Sequence, residues 1–503
     1  MIAYTSIAYS TRSRSPNVPR KKRRSWNRRF LLVALLPFAG CSLPVDDVKL
    51  SRASLGRVDF TPNPNMVTAA VAHIECKGSV AVVEVIYTAT GIDSGRTPRT
   101  PVTSCPLTLD LLGLLAGTAY TTVVRLWGAA EDSTATTGPN LVTKQLPTDL
   151  PHVTVRAPGG TSSGLTVFNI LDSLRLLTHG AAMMVDSAGR VRWYLLSNRL
   201  IGDFQPQRGR RYTVAVTDYE PLAFATLGYT TAEYQELDRG GTFIRKWTTT
   251  GGYPTDGHEI RLTDRGTAVL LGFDFRIMDL TSFQGAPDAQ IIGNVLQEVD
   301  STGRVLFQWN TFDNFSITDI DPSVSLTTQR IDWNHGNAIE IDADGNYLAS
   351  FRHLSEVTKI DAGTGAVLWR MGGVRNQFRF VPDSLTFSFQ HGVRRLPNGD
   401  LILFDNGNTH APPFSRVIEY HLDEQAKTAT AVWTYRPDPD LFSFALGFAQ
   451  RLANGNTVVT FGPRGVVQEA SNSGTLVWEL TLPQGLWIYR AYRVRSAYDP
   501  SPL

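Results

Sequence analysis

A chain of 503 residues is longer than one hydrophobic core organises, so two or more domains are expected. Hydrophobic content of 42% with 19% charged residues is that of a globular protein rather than a disordered or fibrous one, and 42 glycines signal many turns. The formal charge of +2 comes from the N-terminus: residues 1–40 hold nine Lys and Arg and no acid, so the remainder has 39 basic against 46 acidic residues, a net of −7 that gives no basis for nucleic-acid binding.

Residues 1–40 read as a targeting segment. Basic residues at 20–24 and 28–29 precede the apolar run Phe30–Ala39, which is too short for a membrane-spanning helix but suits a signal-peptide core. Ala39-Gly40-Cys41 resembles a bacterial lipobox, in which Cys41 carries lipid and becomes the mature N-terminus; a plain signal peptide cut near Ala39 is the alternative. Either implies export to the cell envelope, and a lipid anchor implies a periplasm-facing membrane protein. With Cys41 lipidated, Cys76 and Cys105 remain as an even pair in an oxidising compartment, a possible disulfide.

Residues 46–148 have the pattern of a small β-sandwich: β-rich runs over Ser79–Ala89 and Thr121–Trp127 lie among Gly, Pro and Thr turns. Leu115-Ala-Gly-Thr-Ala-Tyr120 resembles a fibronectin type III signature. The run Leu146–Pro151 marks a boundary.

An internal repeat fills residues 152–500. Its mark is a strand, a turn and a strand carrying an aromatic: DSAGRVRWYL from 186, DRGGTFIRKW from 238, DSTGRVLFQW from 300, DAGTGAVLWRM from 361, EQAKTATAVWTY from 424 and SNSGTLVWEL from 471. A second hairpin precedes most of them. Six repeats of four strands predict an all-β fold, a six-bladed β-propeller behind the sandwich. The first repeat lacks its opening strand and the final run Trp487–Val494 lacks a hairpin, so the last strand is expected to complete the first blade.

In a propeller the first strand of each blade lines the axis. His258, His335 and His391 open the first strands of the third, fourth and fifth repeats, so three imidazoles should converge at one mouth. Asn337, two residues beyond His335, should face the same side, and Arg352 ends the neighbouring strand. Three histidines suit a metal, but an adjacent Arg opposes a cation and no carboxylate shares the strand starts. Arg, Asn and imidazole together suit an anion with several oxygens, and imidazole is also a competent nucleophile. Structural capping is the remaining explanation. His353 is expected to face away from Arg352, His410 sits in a loop that reaches toward the mouth, and His73, His152, His179 and His421 carry no expected role.

DGHEIRL, NHGNAIEID with SFRH, QHGVRRL and FDNGN…SRVIEY resemble the bacterial arylsulfate sulfotransferase family over most of residues 150–500. That resemblance implies an exported six-bladed propeller that moves a sulfuryl group between phenols by a ping-pong route, without cofactor, metal or nucleotide donor. It implies that His391 becomes transiently sulfurylated, that His258, His335, Asn337 and Arg352 surround the sulfate, and that Asp405-Asn406-Gly407 and Ser415-Arg416 brace the nucleophile. The Pro-rich turn Ala411–Pro413 and the insertion Asp279–Gly293 lie outside the resemblance. Two alternatives stand: a lipid-anchored propeller scaffold of the envelope, suggested by the docking-repeat look of KIDAGTGAVLWRMGG, and a relative that transfers to water.

Overall fold

The computed structural model describes residues 52–128, 133–172, 177, 179–217 and 231–503. The expected signal segment and Cys41 lie outside the described residues. No described helix is long and apolar enough to cross a membrane.

Two antiparallel sheets form the first region. One holds Ser54–Pro62, Ala69–Lys77 and Leu107–Leu112; the other centres on Val80–Ala89 and Ala119–Gly128. The latter strand alternates buried and open positions residue by residue, so one face carries Tyr120, Thr122, Val124 and Leu126 into a core shared with Ile74, Val83, Val85 and Leu111. Cys76 and Cys105 are bonded at a Cα separation of 5.9 Å.

Among the described residues the rest of the chain makes six sheets: five hold four consecutive strands in antiparallel meander order and the first holds three, while short parallel strands flank the third and fifth. The turns of these sheets explain the repeat. In five of them an Asp opens the turn and its Oδ1 accepts backbone N–H groups just ahead, as Asp186, Asp238, Asp300, Asp361 and Asp423 do. The residue that reverses the chain has positive φ: Gly189, Gly241, Gly303, Gly365 and Gly474, with Lys427 taking that conformation in the fifth repeat. The recurrent Trp then ties sheets together. Trp193 Nε1 donates to Arg239 O of the next turn, Trp433 to Asn472 O, and Trp478 of the sixth sheet to Ser187 O of the first.

The first sheet holds Leu165–Asp172, Gly180–Val185 and Val191–Ser197, and its inner strand comes from the chain's end: Ala491–Val494 pairs with Leu165–Asp172, Tyr492 opposite Val167. The expected single run Trp487–Val494 is two strands, Leu486–Trp487 and Ala491–Val494. Its ladder breaks because the Asn169 side chain takes the N–H of Tyr489. The first, second and sixth sheets share one hydrophobic core, including Val167, Trp193, Phe204, Val458 and Trp478.

The inner strands also meet one another. Arg394, from the fifth sheet, donates to Glu259 of the third at 2.9 Å, although the fourth sheet separates them in sequence. Arg490 reaches the same Glu259 at 2.8 Å and the carbonyl of Asn337 at 2.7 Å. Strands from non-adjacent sheets within hydrogen-bond reach must face a common centre, and here that centre is filled by buried, paired charges.

Candidate active site

His391 begins the strand His391–Arg395 and is buried. Gly392 beside it has φ of 64°, and a Cβ there would fall 2.8 Å from Phe448, so only glycine lets this strand approach its neighbour. His391 Nδ1 meets Asn406 Oδ1 at 2.7 Å. The Asn406 amide nitrogen donates to Ser443 O and Leu446 O, which leaves its oxygen as the acceptor. His391 therefore holds its proton on Nδ1 and keeps a lone pair on Nε2. Burial, then the Arg352 charge, then His335 push it well below the usual histidine range, so this imidazole is neutral at neutral pH.

His258 has a different partner. It is the fourth residue of Thr255–Leu262, where the register slips between Thr255 and Ile260 and brings Asp256 back onto its own neighbour. Asp256 Oδ1 binds both the His258 Nδ1 and its backbone N–H, and Asn294 Nδ2 donates to Asp256 Oδ2 at 2.9 Å. Burial lowers the His258 pKa, but the Asp256 carboxylate outweighs it and the net shift is upward.

His335 stands one residue ahead of Gly336–Ile341 with φ of 49°, so strand alternation does not link it to Asn337 as expected. Its Nδ1 lies 2.5 Å from Asp332 Oδ2. Burial, His258 and Arg352 lower its pKa well below the usual range. Its ring lies 4.8 Å from that of His258 and 6.4 Å from that of His391. The three predicted imidazoles are thus brought together. The two carboxylates beside them correct the expectation that no acid shares the strand starts. Asp256-x-His258 and Asp332-x-x-His335 were the spacings that could have revealed them.

Asn337 is fully buried, donates to Gln390 O at 2.7 Å, and has no partner for Oδ1 among the described residues. It fixes the residue before His391. Arg352 does not end a strand: Tyr347–Phe351 stops one residue earlier and Arg352–Leu354 is a 3-10 turn. In that tighter turn neighbours do not alternate, so His353, expected to face away, sits against Arg352 instead. Arg352 Nη1 is 2.5 Å from His353 Nε2, Nη2 donates to Phe444 O at 2.9 Å, and the guanidinium covers the Phe389 ring at 4.7 Å. Its Nε is buried without a described partner. Burial lowers its pKa to about 10, so it stays charged at neutral pH.

The motif after His391 has a visible use. Ser415 Oγ donates to Asn406 O, Arg416 pairs with Asp405 and Asp383, and a Cβ on Gly407 would fall 1.9 Å from Phe414 O. His410 packs on the Phe414 ring and 3.6 Å from Asp405, behind this brace. His73 meets Thr61 and His421 meets Asp400, both away from the cluster.

Asp332, His335 and His353 offer three ligand atoms within 4.8 Å of one another. They fit a metal poorly. His353 Nδ1 faces Asp332 O at 2.6 Å and its Nε2 faces the Arg352 donor, so neither ring nitrogen is free to ligate, and the guanidinium charge opposes a cation.

The family model for Arylsulfotransferase (ASST) matches residues 153–482. No curated protein matches the chain. Among solved structures, a protein of unknown function from Bacteroides caccae is similar at 12% identity over 65% of this chain and 98% of that one, with a TM-score of 0.40. Virginiamycin B lyase from Staphylococcus aureus is similar at 8% identity over 65% of this chain and 87% of that one, with a TM-score of 0.33.

Proposed function

Because the chain belongs to the arylsulfotransferase family, we propose that it is an arylsulfate sulfotransferase working by a ping-pong route through a sulfohistidine at His391. The observation that carries this reading is the divergence of the two imidazoles that flank His335: His391 is held neutral with its Nδ1 on Asn406, while His258, its Nδ1 on Asp256, is biased toward its charged form. A nucleophile needs the first state and a general acid the second.

In the first half-reaction Nε2 of His391 attacks the sulfur of an aryl sulfate. The N–S bond forms as the S–O bond to the aryl group breaks, and the leaving phenolate takes the proton of His258. The sulfurylated ring keeps its Nδ1 proton against Asn406. In the second half the acceptor phenol returns a proton to His258 and its oxygen attacks sulfur, restoring His391. No electrons change hands and no nucleotide is required. Arg352 supports the sulfuryl oxygens as charge develops, and neutral His335 adds no second positive charge beside them. A phenolate leaves more readily than an alkoxide, which suits departure assisted by one imidazolium.

We read the six later sheets as blades of a β-propeller and the two sheets of the first region as a fibronectin type III-like sandwich. Residues 1–40 are read as a lipoprotein signal and Cys41 as the lipid attachment point, which would hold the enzyme on a membrane facing the periplasm.

Initial rates with varied donor at several fixed phenol concentrations test the route. Parallel double-reciprocal lines, with sulfated acceptor as product, are expected. Intersecting lines contradict the covalent route. Phenol release unchanged by acceptor, with free sulfate as product, would make it a hydrolase; no release from several aryl sulfates would favour an envelope scaffold.

A further inference from the structure

Buried arginines in this protein generally face carboxylates. Arg394 and Arg490 pair with Glu259, Arg416 with Asp405 and Arg493 with Glu469. The half-buried Arg352 differs: its hydrogen bonds run to two neutral acceptors, the imidazole of His353 and the carbonyl of Phe444, and Asp332 acts on it only through space. A carboxylate would aim the guanidinium equally well but would also cancel its charge. Neutral acceptors aim it without pairing its charge, which Asp332 offsets only through space, and so leave the guanidinium to an incoming anion.

The protonation of His353 follows from its contacts. A guanidinium has only donors, so Nε2 must accept from Arg352 Nη1, and Nδ1 must then carry the proton that faces Asp332 O at 2.6 Å. Both nitrogens are committed and the ring is neutral. Burial holds its pKa at about 3, so it does not titrate at working pH. The other groups facing it are Asp332, which draws its pKa upward, and Arg352 and His335, which press it down. Its ring also lies 4.8 Å from that of His335 and 5.8 Å from Phe389, the ring under the guanidinium.

We propose that His353 is a positioning residue for Arg352, an uncharged acceptor that aims the guanidinium at the sulfuryl group and ties that aim to the Asp332–His335 pair. The inference rests on the sulfotransferase reading and adds a residue to it. His353 itself touches no reacting atom.

The test compares His353→Leu, which removes the acceptor, with His353→Gln, whose side-chain carbonyl reaches a similar place, each alone and combined with Arg352→Ala. His353→Leu should lower kcat/KM for an aryl sulfate by about 100-fold, the order expected when an anion-holding group is misplaced by an ångström. Gln should restore activity to within roughly tenfold of wild type, and in the Arg352→Ala background Leu should cost less than about twofold, because the two residues act as one unit. A wild-type rate in His353→Leu, a Gln variant as poor as Leu, or a full additional loss in the Arg352→Ala background would overturn the proposal. Competitive binding of inorganic sulfate provides a second reading independent of turnover: it should weaken in His353→Leu and recover with Gln. If the wild-type protein transfers no sulfuryl group, the sulfotransferase reading fails, while unchanged sulfate affinity in His353→Leu sinks the role of His353 alone.

Discussion

His258 and His391 differ in what holds Nδ1: a carboxylate from Asp256 on one, a carboxamide from Asn406 on the other. That difference sets the expected pH profile. His258 acts when charged, so the rate should fall as pH rises through its raised pKa, while neutral His391 and His335 keep the acid side open below about 6.5, the ordinary histidine value. In Asp256→Asn the burial penalty loses its main opponent and only Asp332 still acts against it, so the descending limb should move to lower pH with kcat reduced on the order of 100-fold at pH 7. A pH–rate profile of the two proteins checks this; an unmoved limb would take the acid role from His258. The histidines were legible in the sequence because the repeat fixes where each inner strand begins. Their carboxylates were not, because a slipped register at Asp256 and a left-handed residue at His335 defeat alternation. His353 was hidden likewise, by a 3-10 turn where a strand end was expected.

Among elements, the strands Ala268–Met278 and Ala289–Val299 are unusually long, at 11 residues each, and the insertion Asp279–Gly293 forms the tip that joins them and the start of the second. Arg330–Asp332 adds to Ala289–Val299 as a short parallel strand, with Ile292 opposite Asp332. The insertion thus builds the seat of the acid that holds His335, a role no local pattern announced. Hairpins were readable from their Asp and Gly turns, whereas this pairing depends on residues 40 apart. The first region grips the six sheets in a comparable way. Val67 N donates to Tyr194 OH, Leu112 N donates to Tyr498 OH, and Arg192 pairs with Asp93 at 2.9 Å. Tyr498 lies just beyond the closing strand, so the grip falls on the chain's end. Tyr498→Phe leaves a buried N–H without its acceptor and should cost about 1–3 kcal/mol in a urea melt. A loss below a few tenths of a kcal/mol would show that the contact is dispensable.

On the scale of the whole molecule, the sixth sheet joins the first through Trp478 and Ser187 and through the shared core, and the last strand of the chain lies in the first sheet. The expectation that the C-terminal strand completes the first repeat is met, because an unpaired opening and an unpaired end in one sequence had only each other. Removing residues 491–503 should therefore expose the inner edge of the first sheet and abolish cooperative unfolding, followed by circular dichroism. A truncated chain that melts like the full one would mean closure contributes little.

The packing of the sheets matters chemically because it brings His258 and His391, from two sheets, to 4.8 and 6.4 Å from the His335 ring beside a third. The central claim is that one of them, His391, carries the sulfuryl group. Intact-mass spectrometry after brief mixing with an aryl sulfate, beside His391→Ala, tests it directly. The account predicts a gain of roughly 80 Da, one SO3, that is absent in the variant and lost on adding a phenol. Phenol release without any adduct, or an adduct that persists in His391→Ala, would contradict it.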